Sequence, residues 1–224
     1  MNIEMIDHHI QREILDRLMH SDGMRFSRLK PTDMESNIFM YHLKSLISGG
    51  YVLKTDSQYA LTAKGLTYVD SLSSQNLKPR KQPKLIAIIV IKDNQGRYIL
   101  LERKFQPYKN KLMLPSGKQH FGEDIYQHAK RELLEKTGLD IPLSYRGIAN
   151  ISLGENNQVL THVVAHVHSG TTDNIKLPIE NDKFKFVLHD FKTKDQNLMP
   201  GTKEIFELVK SDQPAFITNL SFIG

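Results

Sequence analysis

The chain has 224 residues, of which 39% are hydrophobic and 25% charged, and its formal net charge is +5. This is the composition of a globular protein, and the length allows one large or two small domains. Cysteine is absent, which excludes disulfides and thiolate metal sites. No apolar run approaches the roughly 20 residues that span a bilayer, and the first residues do not resemble a signal peptide. We therefore expect a soluble, cytoplasmic protein that does not act at a membrane.

The first third of the chain has the pattern of short helices followed by a hairpin. Apolar spacing and stop signals predict helices over residues 9–19, 26–29, about 33–48 and 62–72. Gly49 and Gly50 end the third of these helices. Two short strands are predicted over residues 51–54 and 59–61, and Thr62 is placed to cap the last helix.

Part of this segment resembles the winged-helix repressor families. The residues that carry the resemblance are His42, Leu43, Lys44, Leu46, Gly50, Tyr51, Val52, Tyr59, Ala60, Leu61, Thr62 and Gly65. In such domains the exposed face of the third helix enters the major groove and the hairpin contacts the DNA backbone. The resemblance implies a winged helix-turn-helix domain over residues 1–73 with these DNA-contacting residues: Ser36, Asn37, Tyr41, Lys44 and Lys54. Ile38 and Met40 are expected to be exposed on the same helix, and a winged helix used for dimerisation or protein docking is the alternative.

Residues 74–83 are predicted to form a linker, because they are polar and basic and include two prolines. Beyond them, residues 85–91 form a continuous apolar run, which is typical of a strand buried on both faces. Further strands are predicted over residues 98–102, 144–153, 159–168 and 183–189, and a last helix over residues 201–211.

The stretch Gly117–Leu139, GKQHFGEDIYQHAKRELLEKTGL, combines a glycine turn with a helix that ends at Gly138. The predicted buried side of this helix consists of Ile125, Ala129, Leu133 and Leu134. Glu132, Glu135 and Lys136 are spaced at i, i+3 and i+4, so their side chains share a face. Carboxylates that converge beside a glycine loop suit a hard cation such as Mg²⁺.

This stretch resembles the Nudix box, whose pattern is G-x5-E-x7-R-E-apolar-x-E-E-x-G-apolar. Eight residues match at the right spacing: Gly117, Glu123, Arg131, Glu132, Leu133, Glu135, Gly138 and Leu139. Lys136 departs from the pattern, because it replaces the second glutamate of the E-E pair, and Ser116 stands where the family typically has a glycine. The resemblance implies an α/β protein in which a Nudix α/β/α sandwich with a mixed sheet covers residues 84–224.

The resemblance also implies a chemistry. Nudix proteins hydrolyse a diphosphate linked to another group, usually in a nucleoside diphosphate derivative, and Mg²⁺ or Mn²⁺ neutralises the charge on the oxygens. By position, Gly117 (through its carbonyl), Glu132 and Glu135 match metal ligands, and Glu132, Glu135 and Arg131 are the expected catalytic set. The candidate residues for contact with the ligand are Arg103, Lys118 and Lys136. A lysine in place of a carboxylate changes the local charge by two units and opposes binding of a second cation.

Three histidines, His162, His166 and His168, lie at even spacing on a predicted strand and therefore share a face. Their spacing along one strand is too wide for all three to bind one zinc ion, so a pocket wall or a solvated face is expected there.

Two main hypotheses follow. In the first, a winged helix binds DNA and the Nudix domain senses a nucleoside-diphosphate-type ligand with weak or lost hydrolysis. In the second, the protein is an active Mg²⁺-dependent pyrophosphohydrolase and the winged helix is a dimerisation or docking module. A purely structural interaction protein is a third possibility, and a homodimer is the default for both domain types.

Overall fold

The structure, a computed structural model, describes residues 6, 8–73, 77, 79–173, 181–191, 197–211, 213 and 215–224. The chain divides into two compact units, Met1–Gln82 and Pro83–Gly224. Residues 74–76 and 78 of the predicted linker lie outside the described part of the chain. No helix among the described residues is long and apolar enough to cross a membrane.

The described residues of the first unit form four helices and a small antiparallel sheet. Its elements are α1 (His9–Met19), β1 (Met24–Arg25), α2 (Phe26–Leu29), α3 (Ser36–Ser48), β2 (Val52–Thr55), β3 (Gln58–Leu61) and α4 (Ala63–Asp70). β3 lies between β1 and β2 in the sheet. The predicted helices and hairpin are present, whereas β1 was not predicted. The last helix ends at Asp70 instead of Leu72, because Leu72 pairs with Pro79 in an isolated bridge.

The hairpin and the following helix are fixed by local geometry. Asp56 and Ser57 form the turn with φ of 47° and 68°, the left-handed conformation that tight hairpin turns require. The hydroxyl of Thr62 accepts a hydrogen bond from the Gly65 N–H at 3.0 Å, as predicted for a helix cap. The same hydroxyl donates to the Gly50 carbonyl at 2.6 Å, which ties α4 to the end of α3.

The second unit is built on an eight-stranded mixed sheet. Its elements are β4 (Lys84–Asp93), β5 (Tyr98–Arg103), β6 (Leu112–Met113), β7 (Ser116–Lys118), α5 (Ile125–Thr137), β8 (Ser144–Glu155), β9 (Gln158–Thr172), β10 (Phe184–His189), α6 (Thr202–Lys210) and β11 (Phe216–Ile223). The strands run in the order β10-β5-β4-β9-β8-β11, with β6 paired to β5 and β7 to β4. The β4–β9 and β8–β11 pairs are parallel and the other strand pairs antiparallel. The predicted mixed sheet is confirmed.

Helices α5 and α6 cover opposite faces of this sheet. Leu133 of α5 packs with Ile89 and Ile91, and Ile205 of α6 packs with Ile88. Because successive side chains of a strand point to opposite faces, β4 contributes to both apolar layers. This is the α/β/α arrangement that the sequence predicted.

Three strands and one exposed side chain differ from the prediction. β6, β7 and β11 were not predicted, and β11 pairs in parallel with β8 at the end of the strand order. Leu85 is 49% exposed, so the first residue of the predicted apolar run is not buried on both faces. It lies near the start of β4, ahead of the residues that pack with α5.

Candidate functional site

Helix α5 is bounded by two caps and buries one face. The Asp124 carboxylate accepts hydrogen bonds from the backbone N–H groups of the first turn, at 2.9 and 3.3 Å. Gly138 ends the helix with φ of 70°, as the sequence predicted. The residues of α5 that are buried are His128, Ala129, Glu132, Leu133 and Thr137. Leu134, predicted to be buried, is 55% exposed, because a step of about 100° per residue rotates it away from the face that holds Ala129 and Leu133.

The short strand β7 brings Gly117 directly against Glu132. A Cβ added at Gly117 would lie 1.8 Å from Oε2 of Glu132, so a side chain does not fit while the carboxylate is in this position. The imidazole of His128 holds the same segment from the helix side, with Nε2 3.1 Å from the Gly117 carbonyl oxygen. Nε2 donates this bond when it carries the ring proton. Burial lowers the pKa of His128, which favours the neutral ring.

Arg131 is the centre of an ion-pair cluster. Its Nε and Nη2 donate to the two oxygens of Glu123 at 2.7 and 2.8 Å, and its Nη1 donates to Glu132 at 2.8 Å and to Glu135 at 3.3 Å. Nη2 also donates to the Lys118 carbonyl at 3.2 Å. The bidentate bonds from Arg131 lower the pKa of Glu123 to about 2, and bonds to Glu123 and Glu132 raise the pKa of Arg131. Arg131 therefore orients the carboxylates, as the sequence predicted.

Glu132 lies between two cations. Its side chain is 5% exposed, and its Oε1 accepts the Arg131 bond. Its Oε2 is buried without a hydrogen-bond partner among the described residues. The Nζ of Lys136 lies 3.7 Å from this oxygen, within ion-pair distance. Glu135, in contrast, is 52% exposed on the rim of the cluster.

The Lys136 ammonium group also faces an aromatic surface that leads to Arg103. Its Nζ lies 5.4 Å from the centre of the Phe184 ring, and Phe184 contacts Phe105 with 5.7 Å between ring centres. The Arg103 guanidinium stacks at 3.7 Å over the Phe105 ring. Two of the three predicted ligand-contacting residues, Arg103 and Lys136, are thus linked through two aromatic rings. The third, Lys118, accepts a hydrogen bond from Arg131 through its main-chain carbonyl.

The donor set does not fit a divalent cation as it stands. Gly117 and Glu132, two of the predicted metal ligands, are brought together, but the Gly117 carbonyl already contacts His128 and both Glu132 oxygens face cationic side chains. No group of three acidic or histidine side chains among the described residues is arranged to hold a metal ion. A cation bound to Oε2 would meet the ammonium group of Lys136.

An apolar cleft of about 80 Å³, open to solvent, lies on the α6 side of the sheet, opposite the side that carries α5 and the ion-pair cluster. Ser116, the neighbour of Gly117, is one of its lining residues. Its walls come from β4, β8, β9 and the start of α6, and include Ile86, Ile151 and Gly201. This cleft is smaller than the roughly 300–1,000 Å³ of usual small-molecule sites, and its walls are almost entirely apolar.

The predicted DNA-contacting residues lie on the surface of the first unit. Ser36, Asn37 and Lys44 are exposed on α3, and Tyr41 is 70% exposed. Lys54 is exposed on β2. On the opposite side of α3 the residues Phe39, His42, Leu43 and Leu46 are buried.

Ile38 and Met40, the two apolar residues expected to be exposed on α3, differ in their exposure to solvent. Ile38 is 47% exposed, as expected. Met40 is only partly exposed and packs against the core of the first unit, so its predicted exposure is wrong. The cause is its place on the helix, three residues before the buried Leu43, where its flexible side chain reaches the apolar interior.

Comparisons with known proteins agree with this architecture. The family model described as NUDIX domain matches residues 82–209, which is more than half of the chain. The chain belongs to the NUDIX domain family. A search of the curated proteins gives no match.

Two solved NUDIX structures are similar to this chain at low sequence identity. The NUDIX domain of Shewanella oneidensis NrtR, solved in complex with ADP-ribose, is 16% identical with a TM-score of 0.51, and the match covers 67% of this chain and 97% of that one. A MutT NUDIX hydrolase from Burkholderia pseudomallei is 21% identical with a TM-score of 0.49, and the match covers 58% of this chain and 99% of that one. NUDIX hydrolases generally use divalent metals such as Mg²⁺.

Sequence reasoning missed three parts of the NUDIX site. His128 was not singled out, although it lies four residues before Glu132 and therefore on the same face of α5. Phe105 and Phe184 are far apart in the sequence, and only the pairing of β10 with β5 brings Phe184 opposite Arg103. No local signal could have revealed this contact.

Proposed function

We propose that this protein is a DNA-binding transcriptional regulator. An N-terminal winged helix-turn-helix domain, residues 1–73, would bind DNA and be joined through residues 74–83 to the NUDIX domain, residues 84–224. The NUDIX domain would bind a nucleoside diphosphate derivative and hydrolyse it weakly or not at all. The observation that carries the proposal is the exposed polar and aromatic face of α3, on the same chain as a NUDIX site in which a lysine faces the buried glutamate.

The DNA-binding part rests on side chains that contribute little to the core. Tyr41 and Lys44 are exposed in the middle of α3, Asn37 is exposed in its first turn, and Lys54 is exposed on the hairpin. A helix that presents such residues can contact base edges, while a lysine on the hairpin contacts phosphate. The net charge of +5 favours approach to a polyanion.

The ligand-binding part rests on two cations, Lys136 and Arg103, that are linked through the rings of Phe184 and Phe105. Lys136 and Arg103 offer positive charge for a diphosphate, and the exposed ring of Phe105, next to Arg103, offers an aromatic surface for a base. ADP-ribose, the compound bound by the NrtR NUDIX domain, has both parts and is the natural first probe.

Regulation requires that the ligand bind the DNA-competent and DNA-incompetent states with different affinities. We propose that the protein is cytoplasmic and forms a homodimer. The two-fold symmetry of a homodimer would match the symmetry of a palindromic DNA site. Light scattering of the purified protein tests the dimer directly.

The main test is binding of the full-length protein to a fluorescent duplex from its own upstream region, with a scrambled duplex for comparison. We expect tighter binding to the upstream duplex and a change in affinity when ADP-ribose is added. Lys44→Ala should lower the slope of log K against log[salt] by about 0.9, since one phosphate contact is lost. Lys203→Ala, which removes an exposed lysine on α6, is the matched control and should leave the slope unchanged.

Two results would contradict the proposal. One is the lack of any preference for the upstream duplex at low salt, with and without ligand. The other is turnover of nucleoside diphosphate derivatives with Mg²⁺ at ordinary enzyme rates of about 1–10³ s⁻¹, abolished by Glu132→Gln. The second result would identify an active pyrophosphohydrolase.

A further inference from the structure

We infer that the Lys136 ammonium group takes the place of a divalent cation, so that this NUDIX domain binds the diphosphate of its ligand without metal. The inference rests on the proposed ligand-binding function and specifies how the site would bind its ligand. Its basis is the contact between Lys136 Nζ and Glu132 Oε2, at 3.7 Å.

The first argument is that both oxygens of the buried Glu132 carboxylate already face cationic side chains. Glu132 is the one carboxylate of the cluster whose side chain is nearly inaccessible, at 5% exposure, and each of its oxygens faces a different cation. A divalent ion would bind carboxylate oxygen at about 2.0–2.6 Å. At Oε2, such an ion would lie next to the Lys136 ammonium group and be repelled by it.

The second argument is the charge balance of the cluster. Three carboxylates, Glu123, Glu132 and Glu135, are in contact with two cations, Arg131 and Lys136. With a glutamate at position 136, four carboxylates would face Arg131 alone, and the excess negative charge would require metal ions. Lys136 reduces the excess from three negative charges to one, so the cluster is close to electrically neutral without metal ions.

The third argument is the position of the ammonium group. The Lys136 side chain is 24% exposed, and its Nζ is held between Glu132 and the ring of Phe184. An ammonium group has three donors, so contact with Glu132 leaves N–H groups for phosphate oxygens. The Arg103 guanidinium, over Phe105 and next to Phe184 in the sheet, supplies a second cation on the same surface.

Calorimetry of the full-length protein tests this inference, with ADP-ribose and inorganic pyrophosphate as probes. Each titration is done with EDTA and with Mg²⁺. We expect dissociation constants that agree within about twofold in the two conditions. Lys136→Met should weaken binding at least tenfold in EDTA. Lys130→Met, on the same helix and in an exposed ion pair with Asp140, is the matched control and should bind as the wild type does.

Electron paramagnetic resonance of Mn²⁺ without ligand provides a second readout that needs no activity. The wild type should leave Mn²⁺ free in solution, and Lys136→Glu should bind it. If Lys136→Glu fails to fold, as judged by circular dichroism, the wild-type Mn²⁺ titration still decides the question.

The outcomes separate the inference from the proposed function. Ligand binding that appears only with Mg²⁺, or stoichiometric Mn²⁺ binding by the wild type, overturns the metal-free mode and leaves the proposed function intact. Failure of both probes to bind in either condition overturns the proposed ligand-binding function and the inference with it.

Discussion

The backbone of Gly117 lies against the carboxylate of Glu132, so closely that a Cβ at position 117 would come within 1.8 Å of Oε2. β7 and α5, which carry these residues, therefore fit together only when position 117 lacks a side chain. The absence of a side chain at position 117 therefore lets the β7 backbone and the Glu132 carboxylate lie next to each other.

Gly117→Ala should destabilise the NUDIX domain and distort the ion-pair cluster. The added methyl must displace the Glu132 carboxylate, which is buried and bonded to Arg131, so we expect a loss of about 2–3 kcal/mol. Gly122→Ala is the comparison, because its Cβ would meet nothing within 4 Å and only its φ of 78° is unfavourable. We expect about 1 kcal/mol there. Urea unfolding gives both values, and equal losses would contradict the proposed clash.

Arg131→Met should remove the centre of the cluster. Glu132 would lose its Arg131 bond while remaining buried, and we expect a loss of about 3–5 kcal/mol. Lys130→Met, which breaks the exposed pair with Asp140, should cost at most about 0.5 kcal/mol. A small effect of Arg131→Met would show that the cluster contributes little to stability.

The acid titration of Glu123 provides a separate check on the Arg131 bonds. Arg131 lowers the pKa of Glu123 to about 2 in the folded protein, from a usual value of 4.5. The resulting stabilisation is fully present above pH 4.5 and is lost as the pH falls through about 2. In Arg131→Met the carboxyl should titrate nearer to 4.5, as measured by NMR of the side-chain carboxyl carbon. An unchanged titration would contradict the assigned cause.

Much of the site could be predicted because the Nudix box is local in sequence. Helix α5 fixes the relation between Arg131, Glu132 and Lys136 through its own geometry, and Gly138 ends it by a local backbone preference. The caps at Thr62 and Gly138 were predicted for the same reason. Local rules thus define the box helix and the order of the main elements.

The strands and contacts that were not predicted depend on residues that are distant in the sequence. β7 and β11 are strands because β4 and β8 supply their hydrogen bonds, and β11 has polar residues at Thr218, Asn219 and Ser221 that give no apolar run. The contact of Lys136 with Phe184 likewise depends on where β10 joins the sheet. The exposure of Leu134 depends on which face of α5 meets β4.

Thr62→Ala tests the cap that joins α3 to α4. The substitution removes the hydroxyl that accepts from Gly65 and donates to Gly50, and we expect a loss of about 1–2 kcal/mol. Thr67→Ala is the matched control, because Thr67 is exposed within α4 and its hydroxyl donates only to the carbonyl one turn earlier. That change should be neutral or slightly stabilising, since alanine has the higher helix propensity. Hydrogen exchange of the α4 backbone amides measures the effect of each substitution. Similar protection in the two variants would contradict the role of the cap.

The buried imidazole of His168 should make the protein less stable in mild acid. His168 is fully buried and packs edge-on against the rings of Tyr126 and Tyr145. Burial, with smaller contributions from His166 and His128, lowers its pKa to about 4 from 6.5. Above pH 6.5 the ring is neutral in the folded and unfolded chains, and its contribution to stability is complete.

Between pH 6.5 and about 4, His168 binds a proton in the unfolded chain but stays neutral in the folded protein. The free energy of unfolding should therefore fall across this range by about 3 kcal/mol in total, and His168 adds no further loss below it. His168→Phe should remove this part of the pH dependence, as measured by urea unfolding from pH 8 to pH 4. NMR of the imidazole provides an independent measurement. Titration of the His168 ring near 6.5 in the folded protein would contradict the prediction, because a ring held neutral by burial must resist protonation until the pH approaches 4.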